Sequence, residues 1–349
     1  MATVMSGYDL PGWETGPDGV VIYVRLRNAW LYIHIRTQGF CVSPVALETL
    51  QRIKNKFGSD HEEPDVWDYM EQTASYFLQD FQSLVPEVHH VGKLTLADLQ
   101  LRHYYRCELG FDKESPRPSI ISPMDPSDYH HGCDHQQELA LMQLPFSRFL
   151  PDAVEVPYSD PTTIYDIIPE KVFVDGRAVF WKPSWMLEES MRSLEKYAKL
   201  SISPGKPRTS QLVGIVIDSK GLLRGQLYDW IEIYRRLTWD ELEATSHKLR
   251  EKWISQVRHS LSLLHKMGIV WGDVKAENVV IDQDDNAVII DLEGGATRGW
   301  IDEEKIGTME GDLQGLERLA AYVLNDQNPL RLEDKKLDQA QTEDREMTM

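Results

Sequence analysis

The sequence predicts an α+β protein organised in two parts, and three observations carry that expectation. Runs rich in β-branched and aromatic residues occur at 18–36 and again at 171–181, each broken by a short polar turn. Apolar residues recur at helical spacing over 47–57, 66–84, 187–198 and 242–264. Between these groups lies a polar stretch carrying Pro116, Pro118, Pro123 and Pro126, the composition of a linker or long surface loop. The boundary is therefore placed near it, with an N-terminal α+β extension over 1–130, a second domain over 151–326 and a charged tail over 327–349.

In the first part, Val20 to Leu26 and Trp30 to Ile35 form a hairpin about Arg27 and Asn28. A helix follows, capped by Ser43, opened by Pro44, lined by Leu47, Leu50, Ile53 and Phe57, and ended by Gly58. Val66, Met70, Phe77, Phe81 and Leu84 make a second helical stripe, read as core packing.

In the second part, Lys171 to Val174 and Ala178 to Trp181 pair through Asp175 and Gly176, a dipeptide suited to a tight hairpin turn. The next helix presents Leu187, Met191, Leu194 and Ala198 on its apolar face, with Glu188 and Glu195 along a neighbouring line. A strand over Leu212 to Ile217 comes next. Thr238 and Glu241 then form a Thr-x-x-Glu capping box, opening a helix lined by Leu242, Leu249, Trp253, Val257, Leu261 and Leu264 and stopped by Gly268. A small hairpin closes the pattern: Val279 to Ile281, a turn at Asp284, Asp285 and Asn286, and Val288 to Ile290, which delivers Asp291 to a strand end.

Composition narrows the possible partners. A formal charge of -19 argues against nucleic acid and anionic membrane surfaces, which attract clusters of Lys and Arg. The first residues, MATVMSGYDLPGWETG, lack the basic start and apolar core of a signal peptide, and no run reaches the roughly 18 apolar residues of a membrane span. These features predict a soluble protein of the cytoplasm, with the nucleus also open to it. Cys41, Cys107 and Cys133 are odd in number and widely separated, which suits a reducing compartment. His131, Cys133 and His135 crowd into HHGCDH, but no second ligand pair accompanies them, so the segment reads as a polar loop.

The chemistry concentrates at Leu263 to Asp291, where Asp273, Lys275, Asn278 and Asp291 follow a helix and surround a hairpin. Their order and spacing resemble the catalytic centre of eukaryotic-type protein kinases. The resemblance covers roughly residues 150–325 and is closest to the divergent kinase-like domains common in filamentous fungi. It implies a bilobal kinase-like fold with an N-lobe over 151–231 and a truncated C-lobe over 232–326. It also implies ATP and Mg2+ as cofactors. Phosphoryl transfer relies on positioning and charge stabilisation, so Asp273 would accept the acceptor's hydroxyl proton and Lys275 would sit near the γ-phosphate. Asn278 and Asp291 would give Mg2+ its hard oxygen ligands. Lys182, ending the Val-Phe-Trp-Lys strand, matches the lysine that contacts the α- and β-phosphates, with Glu195 as its partner. Leu227 to Ile231, including Asp229, would form the hinge that recognises the adenine edge.

The departures from that family are specific. No glycine occurs between Gly132 and Gly176, so the Gly-rich phosphate-covering loop is missing. Trp271 and Gly272 replace the His and Arg before the catalytic Asp, which removes the Arg that a phosphorylated activation loop would engage. Asp-Phe-Gly is replaced by Asp291, Leu292 and Glu293, with Gly294 and Gly295 one step later. The segment from Asp291 to Asp312, the aspartate that opens the next helix, is very short, and little follows that helix. The sequence thus predicts a phosphotransferase whose acceptor is a Ser, Thr or Tyr of a specific partner or a small-molecule hydroxyl. Its alternative is a pseudokinase acting as a regulatory module.

Overall fold

The computed structural model describes residues 8–16, 19–40, 44–57, 64–85, 92–99, 103–112, 115–124, 141, 143–159, 168–184, 187–295, 297 and 299–348. The protein is α+β. Its chain divides into two compact units, one comprising Met1–Glu138, Arg148–Trp185 and Val216–Gly225, the other Leu139–Ser147, Met186–Ile215 and Gln226–Met349. Neither unit is a continuous segment of the chain.

The first unit is built on a five-stranded sheet of order β1-β2-β3-β4-β5, with β1 at Tyr8–Gly16, β2 at Gly19–Leu26, β3 at Ala29–Arg36, β4 at His103–Asp112 and β5 at Ser115–Pro123. The expected hairpin is β2 and β3, with Leu26 opposite Ala29 and Arg27 at a φ of 52° in the turn. β3 and β4 run parallel, Ala29 facing His103, so the intervening chain crosses over through helices α1 (Thr37–Phe40), α2 (Pro44–Phe57), α3 (Pro64–Ser75) and α4 (Leu78–Leu84). The proline-bearing stretch expected as a linker is instead β5, which pairs with β4 at the sheet's edge. Proline lacks the N–H that a central strand must donate, and an edge strand needs donors on only one side. Pro126 and the HHGCDH segment lie outside the described residues, as do Ser43 and Gly58.

A large core lies on one face of this sheet and a smaller one, of Tyr23, Trp30 and Tyr32, on the other. Ile22, Val24, Leu31, Ile33, Leu50, Ile53, Val66, Met70, Phe77 and Phe81 are buried together, and the Phe77 and Phe81 rings stack at 5.5 Å. On α2 the buried stripe runs through Ala46, Leu50 and Ile53, whereas Leu47, placed on that stripe by the sequence, is exposed. The single stripe expected over 66–84 is two helices, α3 and α4, broken at Tyr76 and Phe77.

A second five-stranded sheet has the order β6-β9-β10-β8-β7, and the division into units falls within β6, β9 and β10. Its strands are β6 (Ser147–Phe149), β7 (Lys171–Val174), β8 (Arg177–Pro183), β9 (Leu212–Ile217) and β10 (Leu223–Asp229). The β7–β8 turn has Asp175 and Gly176 both at positive φ, 50° and 77°, the geometry that dipeptide favours. Gly225 lies against β8: a Cβ there would stand 2.4 Å from the Lys182 carbonyl oxygen.

The second unit holds α5 (Leu187–Ile202), β11 (Ile233–Arg236), α6 (Trp239–Ala244), α7 (His247–Lys266), β12 (Val279–Asp282), β13 (Ala287–Ile289), α8 (Met309–Leu324) and α9 (Pro329–Thr348). The expected capping box does not form. Thr238 occupies the N-cap without a side-chain cap bond, Glu241 pairs with Arg235 at 3.0 Å, and the helix stops at Thr245 before restarting from Ser246. α7 ends as predicted at Gly268, whose φ of 69° closes a Schellman turn: Ile269 N–H donates to the Leu264 carbonyl at 3.0 Å and Gly268 N–H to that of His265 at 3.0 Å.

The hairpin of β12 and β13 is held at its turn by Asp282, whose Oδ1 accepts from the N–H of Asp284 at 3.0 Å and of Asn286 at 2.8 Å. The tail begins as structure rather than as a loose end. Arg331 is 2% exposed and pairs with Asp326 at 2.8 Å, the Tyr322 hydroxyl donates to Asp334 at 2.6 Å, and Lys335 pairs with Glu243 at 2.7 Å. No helix of the described residues is long and apolar enough to cross a membrane.

Candidate functional site

The site is built within the second unit, on the loop that leaves α7 and on the loop after β13. Beyond the Gly268 turn, Trp271 is fully buried, and its backbone N–H and that of Gly272 both donate to Asp312, at 2.8 and 2.7 Å. Asp312 itself is 0% exposed and lies in the first turn of α8. Its third partner is His265 Nε2 at 2.8 Å, so one carboxylate ties the end of α7, the loop and α8 together. The indole N–H of Trp271 then donates to the Asp291 carbonyl at 3.0 Å and joins the two loops. Gly272 is required by close approach, since a Cβ there would meet Gly294 Cα at 2.8 Å and its φ is 96°.

Asp273 occupies the centre and is 9% exposed. Its Oδ1 accepts from the Thr297 hydroxyl at 2.9 Å, and its Oδ2 accepts from Asn278 Nδ2 at 2.9 Å and faces Lys275 Nζ at 3.0 Å. Lys275 Nζ also donates to Thr297 Oγ1 at 2.7 Å, closing a ring of ammonium, hydroxyl and carboxylate. Asn278, in the 3-10 turn Ala276–Asn278, spends its amide nitrogen on Asp273, on the carbonyl at 2.9 Å as well as on the carboxylate. That orientation leaves its amide oxygen as the atom available to a cation.

Asp291 has a φ of 57°, a left-handed conformation that a non-glycine residue rarely adopts and that concentrates at functional sites. Leu292 is buried beside it, and the Asp291 carboxylate accepts the Glu293 N–H at 3.3 Å. Glu293 in turn accepts from Gln226 Nε2 at 3.4 Å. Gln226 is buried, and its Oε1 accepts from the Tyr228 hydroxyl at 2.7 Å and from that of Ser193 at 3.4 Å. Burial pushes the phenols of Tyr228 and Tyr197 up, so both stay protonated donors; the Tyr197 hydroxyl lies 2.6 Å from that of Ser210.

Of the residues singled out from the sequence, Asp273, Lys275 and Asn278 are in direct contact, and Asp291 is joined to their loop through Trp271. Lys182 is half-buried on β8, in the first unit. Glu195 is exposed on α5. The residues of α5 that are fully buried are Ser190, Ser193, Leu194 and Tyr197, so Leu194 of the expected apolar line is buried, its other members Leu187, Met191 and Ala198 are half-buried, and polar groups share the inward face. Leu227 is fully buried in β10, and the Asp229 N–H there is already given to the Gln211 carbonyl at 2.8 Å.

Four contributors escaped sequence reasoning: Thr297, Gln226, Trp271 in its bridging role, and Lys196. Lys196 follows Glu195 on α5, and its Nζ lies 3.5 Å from the Trp271 carbonyl. Burial pulls its pKa down, against the nearby carboxylates of Asp312, Asp291 and Glu293. The signal was present as Ser190, Ser193 and Tyr197, at the i, i+3, i+7 spacing of a helix facing polar surroundings.

The donors suit a hard, partly hydrated cation. Among the described residues no cluster of three or more His, Cys, Asp or Glu side chains stands ready to cage a metal. An amide oxygen and one or two carboxylates are the protein's usual share where phosphate oxygens and water complete the shell of Mg2+. Comparisons of the chain with family models and with curated proteins found no match.

Proposed function

We propose that this protein is an ATP- and Mg2+-dependent phosphotransferase with a protein kinase-like fold, acting on a hydroxyl of a specific partner or of a small molecule. The observation that carries the reading is the Asp273 carboxylate, buried and oriented by Thr297, Asn278 and Lys275. A carboxylate so fixed can accept a hydroxyl proton without reorganising, which is how a general base contributes. Lys275 neutralises that carboxylate and offers an ammonium to a phosphoryl group beside it. Asn278 through its oxygen and Asp291 through its carboxylate would hold the metal, which supplies neutralisation of developing phosphate charge. The buried Asp312, accepting two backbone N–H groups of the loop, keeps Asp273 in place through the cycle.

A second reading, a nucleotide-binding regulator without transfer activity, is favoured by the lack of glycine from 133 to 175, since backbone amides that approach phosphates closely generally need it. The two part company in one experiment. Purified protein with Mg-ATP should release or transfer γ-phosphate, and Asp273→Asn should lower that rate by about a hundredfold or more, with nucleotide affinity kept. A parent protein that binds Mg-ATP but turns over no faster than Asp273→Asn would leave the regulator.

A further inference from the structure

We propose that Lys196 supplies the ammonium that meets the nucleotide's polyphosphate, the role the sequence resemblance assigns to Lys182. The inference rests on the phosphotransferase reading and adds a residue on α5 to its site.

Lys196 stands on the helix, in the same unit as Asp273, Asn278 and Asp291. Its Nζ lies over the point where the two loops cross, since a Cβ added to Gly294 would come 3.6 Å from it, and Gly294 is the residue that Gly272 approaches. Among the described residues its single hydrogen bond is the one to the Trp271 carbonyl, a long one at 3.5 Å. An ammonium carries three donors, so two are left to spend.

The surroundings say on what. The charges that act on the ammonium are, in order of weight, Asp312 from α8, Arg192 on its own helix, and Asp291 and Glu293 from the loop after β13. Asp312 is committed to His265, Trp271 and Gly272, and Glu293 to Gln226, which leaves Asp291 as the acid whose proposed role requires it to exchange partners. A metal held by Asp291 would bring an anion into the same loop, within the electrostatic reach of the ammonium. Lysine is a compact point charge suited to that task, and this one has already lost much of its water. The two cations would then divide the work: Lys275 stands at Asp273, where the hydroxyl would attack, and Lys196 stands over Gly294 and the Trp271 carbonyl, where the phosphates would be held.

The test compares Lys196→Met, Lys196→Arg and Lys182→Met with the parent by calorimetric titration of adenosine, ADP and ATP, each with Mg2+. A charged hydrogen bond to phosphate corresponds to roughly a 10- to 100-fold change in affinity, so Lys196→Met should lose that much for ATP and keep adenosine unchanged. Lys196→Arg should recover most of it, and Lys182→Met should lose less than Lys196→Met. Equal ATP affinity in Lys196→Met and parent would overturn the assignment. So would parallel losses for ATP and adenosine, which would make Lys196 a pin for the Trp271 carbonyl only. If Lys196→Met does not fold, Lys196→Gln takes its place, and failure of both to fold likewise assigns the lysine to structure. A parent that binds no nucleotide would instead overturn the phosphotransferase reading itself.

Discussion

The Thr297 hydroxyl donates to Oδ1 of Asp273 at 2.9 Å while accepting from Lys275 Nζ at 2.7 Å. One side chain thus spans the acid and the ammonium of the site, and it comes from the loop that follows Asp291 rather than from the loop that carries them. Orientation of Asp273 therefore depends on that distant segment being in place.

Removing the bridge should cost catalysis more than binding. Thr297→Val keeps the shape and deletes both hydrogen bonds, each to a charged group worth about 1.5 to 3 kcal/mol. We expect turnover to fall about 10- to 100-fold with KM little changed, and Thr297→Ser to recover most of it. Steady-state kinetics with Mg-ATP checks this, and an unaltered Thr297→Val would show that Asp273 needs no such orientation.

Asp312 makes a stability prediction that holds whatever the reaction is. Its carboxylate is fully buried and accepts from two backbone N–H groups and from His265. Asp312→Ala strands those donors, and breaking a buried charged network of this kind costs about 3 to 5 kcal/mol. Urea denaturation should register that loss. Asp312→Asn, which keeps an acceptor oxygen, should lose less.

His34 gives the first unit a pH dependence. It is buried on β3, and that burial, with the positive charges of Arg36 and Arg106, pulls its pKa down to about 4, against a smaller opposing pull from Glu108. Arg36 donates toward Nδ1 at 3.2 Å, which fits the neutral ring. An unfolded histidine titrates near 6.5, so between about pH 6.5 and 4 the unfolded chain binds a proton that the folded chain refuses. This contribution is fully present above pH 6.5 and is lost as pH falls toward 4, by on the order of 3 kcal/mol. His34→Gln should flatten the stability profile across that window, and an unchanged slope in thermal melts would contradict it.

The C-terminal helix α9 should be part of the cooperative unit. Truncation after Asn325 removes Arg331, Asp334, Lys335 and Asp338, and with them the bonds to Tyr322, Glu243 and Trp239. We expect a fall of several degrees in Tm, because a loss of about 1 kcal/mol already shifts a unit of this size by roughly 2 to 4 °C. Truncation after Asp338 keeps every one of these bonds and should melt like the full chain.

What was legible in the sequence was whatever local chemistry decides. The Asp175-Gly176 turn, the Gly268 helix stop, the Asp282 to Asn286 turn and the spacing from Asp273 to Asn278 each depend on neighbours within a few residues. What stayed hidden is set by partners far along the chain. β11 reads as Ile-Tyr-Arg-Arg, too short and charged to announce a strand, and it exists by pairing with β12. The prolines of β5 look like a linker until the edge position makes their missing donors harmless. On α5 the sequence favours the apolar line of Leu187, Met191, Leu194 and Ala198, yet of these only Leu194 is fully buried and Ser190, Ser193 and Tyr197 face in beside it, because the surroundings of Gln226 and Asp291 are themselves polar. Arg250 and Arg331 look like solvent-facing cations and are buried against Asp326.

The interleaving of the two units along the chain bears on how such a protein can be made and cut. The first unit is not complete until the ribosome has passed Gly225, and by then stretches of the second unit, 139–147 and 186–215, have already been synthesised. The first unit therefore cannot fold to completion before two stretches of the second have emerged between its own segments. A single protease nick after Glu138 would leave pieces of one unit on both products, so the fragments should be recovered as a complex rather than as two separate domains. For the same reason a crossover after Glu138 would carry the whole second unit and its Asp273 site, but would bring Arg148–Trp185 and Val216–Gly225 of the first unit with it, cut off from the rest of that unit.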